Sequence, residues 1–240
     1  MDTDEDFFGA TGIPHPLANM VCRSHWRAEL TAEQIDARVT ATINWFAARQ
    51  APFLWYVWPS TQPESLVNRL DAAGLMRHDG GPAMTLDLMA LSADAAPAGL
   101  RVSVVEDEEA YARWGDVLSA AMEFDAGTRM AMSKLLPLLG YSAPQRQYLG
   151  VVDSEPVATA TLLVAGKIAL LIKIGTLTHM RGRVIGAAII SAALRDARQA
   201  GCEIAALTSS EMGYPIYQKL GFVERFRLPQ YIWAPGLSNA

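Results

Sequence analysis

The stretch "THMRGRVIGAAII" (178–190) decides the fold, because it carries the chain from an apolar run, "IALLIKIGTL" (168–177), into what reads as a long helix. A strand feeding a helix N-terminus leaves backbone N–H groups unpaired and points the positive end of the helix dipole outward. An anion placed there is stabilised without any catalytic side chain. Gly182 and Gly186 let the backbone approach such a ligand, Arg181 and Arg183 add charge, and Ile185 anchors the helix beneath. Val184 stands where a third glycine is expected: it keeps its N–H but brings a branched side chain to where phosphate oxygens would come.

Downstream, Ile190, Ala193, Leu194 and Ala197 continue one helical face, followed by a strand "CEIAALT" (202–208), a helix "EMGYPIYQKLG" (211–221) and a strand "FVERFRLPQYIW" (222–233). A helix between two strands implies a parallel crossover. Upstream come a strand "LRVSVV" (100–105), a helix from Asp107 to Met122, a second helix expected to break near Pro137, and strands "YLGVV" (148–152) and "PVATATLLV" (156–164). These predict a mixed α/β fold whose sheet switches from antiparallel to parallel near residue 177.

The N-terminal part reads as a smaller α/β lobe. Thr31 and Gln34 have capping-box spacing before a helix that places Ile35, Val39, Ile43 and Phe46 on one face. The aromatic strand "APFLWYVWPS" (51–60) follows, then a helix expected to be capped by Thr61 and Glu64 and stopped by Gly74, then a strand "MTLDLMAL" (84–91). "GIPHPLANMV" (12–21) is extended, with His15 and Asn19 either lining an acceptor pocket or sitting in a plain surface strand. The small-residue segment "SADAAPA" (92–98) is the expected linker, giving domains 1–98 and 99–240. "ARQAPFLWYVWPS" (48–60) echoes "ARQAGCEIAALTS" (197–209), which suggests that the first lobe is a shortened copy of the second.

The 240 residues are 51% hydrophobic and 19% charged with a net charge of −5, enough for a sizeable core. No basic run marks a nucleic-acid surface, and no apolar stretch is long enough to span a bilayer. An acidic start, "MDTDEDFFGA", leads to a cytoplasmic expectation. Cys22 and Cys202 have no metal or redox spacing, and no metal is expected.

On two motifs, residues 100–234 resemble the GNAT superfamily of N-acetyltransferases. The family's coenzyme loop, Arg or Gln, two residues, Gly, one residue, Gly or Ala, falls on Arg181, Gly182, Arg183, Val184, Ile185 and Gly186; "IYQKLGF" (216–222) is similar to its second signature. The resemblance implies an acetyl-CoA-dependent N-acetyltransferase acting on a small-molecule amine by direct transfer. Acetyl-CoA would be wedged between "IALLIKIGTL" and "CEIAALT", with Ile174 and Thr176 pairing its pantetheine arm, the loop taking its diphosphate, and Ser210 completing the cofactor set. It also implies Tyr217 as general acid.

Relatives often carry a carboxylate on the central strand, where this chain has Thr159 and Thr161. That leaves Glu123, His179, Glu211 or a water chain for the amine proton. Lys173, inside the apolar run, reads either as a lysine reaching solvent or as a cleft lysine acting as base, carboxylate anchor or Schiff-base amine. Strand alternation predicts it on the face of Leu171 and Gly175. The alternative reading is an enzyme on this fold that no longer uses acetyl-CoA and works on a metabolite through Lys173, by decarboxylation or cyclisation. A monomer and a homodimer are both left open.

Overall fold

The computed structural model describes residues 5–91 and 99–236. Its contacts divide the chain into two compact units, Met1–Gly81 with Phe226–Ala240, and Pro82–Arg225. The linker expected at 92–98 lies outside the described residues. The units do not follow the 1–98 and 99–240 partition, because Pro82–Asp87 hydrogen-bonds into the sheet of the second unit and Gln230–Trp233 into that of the first.

The first unit is built on β1 (Asp6–Ala10), β2 (Asn19–Ser24), α1 (Ala32–Ala47), β3 (Phe53–Tyr56), α2 (Leu66–Ala72), β4 (Met76–His78) and the strand Gln230–Trp233. Its sheet runs β1, β2, β3, Gln230–Trp233, β4. The capping box forms: Thr31 Oγ1 accepts from Gln34 N at 3.3 Å and Gln34 Oε1 from Thr31 N at 2.8 Å. The buried face of α1 carries Ile35, Val39 and Phe46, and Phe46 stacks on Phe53 at 4.1 Å. Truncating such a ring to alanine typically costs about 3–5 kcal/mol.

Two sequence expectations change here. The α2 cap is Ser65 without a side-chain bond, while Thr61 Oγ1 accepts from Trp58 N and closes the preceding turn. Asn19 is no pocket residue: its amide donates to the carbonyls of Ile13, His15 and Pro52 and its Oδ1 accepts from Thr11 N, so it knots the entry to β2.

The second unit comprises β5 (Pro82–Asp87), β6 (Leu100–Val104), α3 (Glu108–Ala121), α4 (Ala126–Leu139), β7 (Gln145–Val152), β8 (Glu155–Ala165), β9 (Ile168–Thr176), α5 (Ile185–Gln199), β10 (Ile204–Thr208), α6 (Tyr214–Lys219) and β11 (Val223–Arg227). The sheet order is β11-β5-β10-β9-β8-β7-β6, with β9 and β10 parallel and β6 to β9 antiparallel. α5 and α3 cover opposite faces: Ile189, Ala193 and Leu194 cluster with Tyr148, whereas Trp114, Val117 and Leu118 cluster with the adjacent Leu149. Pro137 lies inside α4 close to its end and does not break it. The run expected as one strand from Phe222 splits near Pro229 into β11 and Gln230–Trp233, which join different sheets.

The repeat suggested by the echo extends through the topology. In the first unit β1-β2-β3, then an antiparallel strand from elsewhere in the chain, then β4 reproduces β8-β9-β10-β5-β11 of the second. In both, the parallel pair is linked by the long helix.

A bulge interrupts β9. Thr161 pairs with Ile172 and Thr159 with Gly175, so Ala160 opposes both Lys173 and Ile174, and Lys173 takes a φ of 52°. The extra residue resets the alternation. Leu171 packs in the α5-side core, while Lys173 lies over Trp114 and Gly175 abuts Ala121, both on α3. Lys173 therefore shares a face with Gly175 but not, as regular alternation predicts, with Leu171.

Candidate coenzyme cleft

β9 and β10 are paired only where Ile168–Leu170 meets Ile204–Ala206. Beyond that point β9 stays with β8 as far as Thr176, and β10 stays with β5 as far as Thr208. The strands diverge into a cleft of about 740 Å³, lined among others by Ile174, Thr176, Gly186, Ser210, Tyr217 and Lys219. The cleft edge of a strand without a neighbour presents backbone donors and acceptors that an extended ligand can pair with.

The loop closing one end of this cleft has an uncapped helix start. Gly182 and Val184 have φ values of 78° and 62°, Val184 is the N-cap, and no side chain caps α5. The first N–H of the helix to meet a carbonyl is that of Ala188, on Val184 O at 3.0 Å. The amides before it are left for a ligand at the positive end of the dipole. Val184 is 64% exposed, so its methyls stand in solvent at the mouth of the cleft. Its left-handed backbone is one that a β-branched residue rarely adopts.

Arg181 lines the cleft, but its guanidinium is engaged by the protein itself. Its Nη2 donates to Ala121 O at 2.9 Å and meets Glu123 Oε1 at 3.1 Å, and its Nε donates to Thr176 O at 3.2 Å. Glu123 also accepts from Thr178 Oγ1 at 3.0 Å. Together they clip the loop to the C-terminal end of α3, where a cation suits the helix dipole. Arg183 is exposed in the loop. His179 pairs with Glu155 at 3.2 Å, both largely exposed.

Tyr217 is buried in the cleft wall, edge-on to Phe222 at 5.8 Å, and burial pushes its phenol up to about 12. Lys173, one residue before the cleft lining, is held over Trp114 with Nζ 5.7 Å from the ring centroid, and burial lowers its ammonium to about 8. Ala121 and Met122, at the end of α3, and Met212 also line the cleft. Sequence reading missed them, and small or flexible apolar residues in helix ends and loops carry no motif that would have marked them. Among the described residues, no three His, Cys, Asp or Glu side chains are grouped to hold a metal ion, and no helix is long and apolar enough to cross a membrane.

Residues 114–222 match the Acetyltransferase (GNAT) family model. This stretch is a GNAT domain. The chain is similar in structure to a GCN5-related N-acetyltransferase from Kribbella flavida, at 20% identity and a TM-score of 0.74 over 97% of this chain and 91% of that one. It is also similar to a GCN5-related N-acetyltransferase from Sphaerobacter thermophilus, at 15% identity and a TM-score of 0.65 over 92% and 75%. A tandem GNAT protein from the clavulanic acid biosynthesis pathway, in a structure without AcCoA, aligns at 17% identity and a TM-score of 0.65 over 92% and 76%. At these identities the likeness establishes the fold. No curated protein sequence matches significantly. GNAT domains transfer acyl groups, in general from acetyl-CoA, and the bare amides and open strand edge in this one fit such a coenzyme.

Proposed function

We propose that this chain is an acetyl-CoA-dependent N-acetyltransferase that acetylates a small-molecule amine by direct transfer. The observation that carries the reading is the uncapped start of α5 at the mouth of the β9–β10 cleft. The backbone of Ile174 and Thr176 would hold the pantetheine arm, and the amides from Gly182 to Gly186 the diphosphate. When bound, acetyl-CoA supplies an activated thioester.

Tyr217 stays protonated throughout the neutral range and holds its proton inside the cleft, where a departing thiolate can take it. Glu123 is committed to Arg181 and Thr178, and His179 sits at the surface, so neither serves as the base. Glu211 or water then takes the amine's proton. Titration calorimetry tests the reading. Micromolar acetyl-CoA binding, with thiol release on adding amines, is expected; no binding by either the natural chain or Val184→Gly refutes it.

A second reading, a GNAT-fold enzyme that works without acetyl-CoA through Lys173, is favoured by one observation, the lowered basicity of that amine. It requires turnover without coenzyme that Lys173→Ala abolishes.

A further inference from the structure

The sheet face beneath α3 is unusually polar for a protein interior. Gln147, Thr159 and Thr161 are fully buried there, with Gln147 paired to Thr161 and Thr159 to Leu149 across β7 and β8. Thr159 Oγ1 donates to Lys173 O, and Gln147 Nε2 to Gly140 O. Gln147 Oε1, Thr161 Oγ1 and the indole Nε1 of Trp114 have no hydrogen-bond partner among the described residues. Groups of this kind cost about 1–3 kcal/mol each when left unpaired, so the arrangement is one that a polar ligand or water completes.

Lys173 belongs to the same face. Thr161 pairs with Ile172, and the bulge at the next residue turns the lysine toward α3 and Trp114. The ring is the one partner seen for its amine among the described residues, and burial is the cause of its lowered basicity. The carboxylates at the ends of α3 and the start of α4 are otherwise engaged: Glu123 is tied to Arg181 and Thr178, Asp107 caps α3, and Asp125 caps α4. A half-buried ammonium resting on a π-face, without an ion partner, is a cation that lacks its anion. The next residues along β9, Ile174 and Gly175, line the coenzyme cleft, so a molecule gripped by this amine is one step along the strand from it.

We propose that Lys173 anchors a carboxylate on the acceptor, and hence that the substrate class is amines that also bear a carboxylate, in the manner of amino acids. The identification as acceptor rests on the transferase reading; the anion site itself does not. At pH 7 Lys173 largely keeps its proton, so the anchor is charged under ordinary assay conditions.

The chain has four lysines, at 134, 167, 173 and 219, which makes the site directly observable by NMR in full-length protein labelled with lysine carrying 13C at Cε. The Lys173 signal is assigned by its loss in Lys173→Met. The probes are N-acetylglycine, N-acetyl-β-alanine and N-acetyl-γ-aminobutyrate, each against its own carboxamide. Saturable movement of the Lys173 signal by at least one acid, with no movement by its amide, is expected. Equal responses to acid and amide, or no Lys173 response across the panel, overturn the assignment.

In acetyl transfer, Lys173→Met lowers kcat/KM for carboxylate-bearing amines about 10- to 100-fold, the loss of one charged hydrogen bond, and Lys173→Arg restores part of it. The corresponding amides are unaffected, as is acetyl-CoA affinity. Should acetyl-CoA fail to bind at all, the transferase reading falls while the NMR response still decides the anion site.

Discussion

Val184→Gly is the most informative substitution, because the residue combines backbone strain with an obstructing side chain. Its φ of 62° and ψ of 4° put a branched residue in the left-handed region, a cost of about 1–2 kcal/mol that glycine does not incur. Glycine gives back about 0.5–1 kcal/mol through the greater freedom of the unfolded chain. The balance is a gain of about 0.5–1 kcal/mol, or roughly 1–4 °C in melting temperature for a chain of this size. The same change removes two methyls from in front of the free amides. If they block one charged contact to a diphosphate, acetyl-CoA affinity rises about tenfold or more. Val184→Ala separates the effects, since it removes the γ-methyls but keeps the Cβ strain. It should tighten binding without raising the melting temperature. Paired melting curves and calorimetry decide the matter, and a Val184→Gly protein that melts lower with unchanged affinity refutes both halves of the reasoning.

Tyr217→Phe keeps the packing on Phe222 and removes only the hydroxyl; it should lower kcat about 100-fold or more with little change in acetyl-CoA affinity, as single-turnover kinetics will show. Arg181→Met unfastens the loop from Ala121 and Thr176 and should cost about 1–3 kcal/mol in urea unfolding, whereas Glu123→Gln, at an exposed carboxylate, should cost less than about 1 kcal/mol. Lys173 holds its proton less tightly folded than unfolded, so the unfolded chain binds more protons between about pH 8 and the usual lysine range, and stability rises with pH across that window. Lys173→Met should thus be the more stable protein at pH 7, with its advantage shrinking towards pH 10 in melts of both proteins.

The second unit was legible because periodicity and punctuation agreed: the helix expected from Asp107 forms, with Asp107 as its N-cap, and the glycine-bearing loop opens α5. The splayed strands and the Tyr217 position followed from two motifs. The bulge at Lys173 was not legible, since a run of β-branched and apolar residues reads the same with one residue looped out, and that single insertion changed the face assigned to Lys173. The charge of Arg181 was legible, but its hold on the carbonyls of Ala121 and Thr176 was not, because every residue carries such groups. β4 is three residues long and exposed, so it has no pattern to detect. The split near Pro229 was hidden because both halves favour strand and only their partners differ.

The position of Gln230–Trp233 has a consequence for synthesis. This strand lies between β3 and β4, in a sheet whose other strands all come from the first eighty residues. On the ribosome the first unit must wait, with a gap in its sheet, until Gln230–Trp233 has emerged. The second unit has all its strands in hand earlier. The half that is translated first is therefore the half that finishes last.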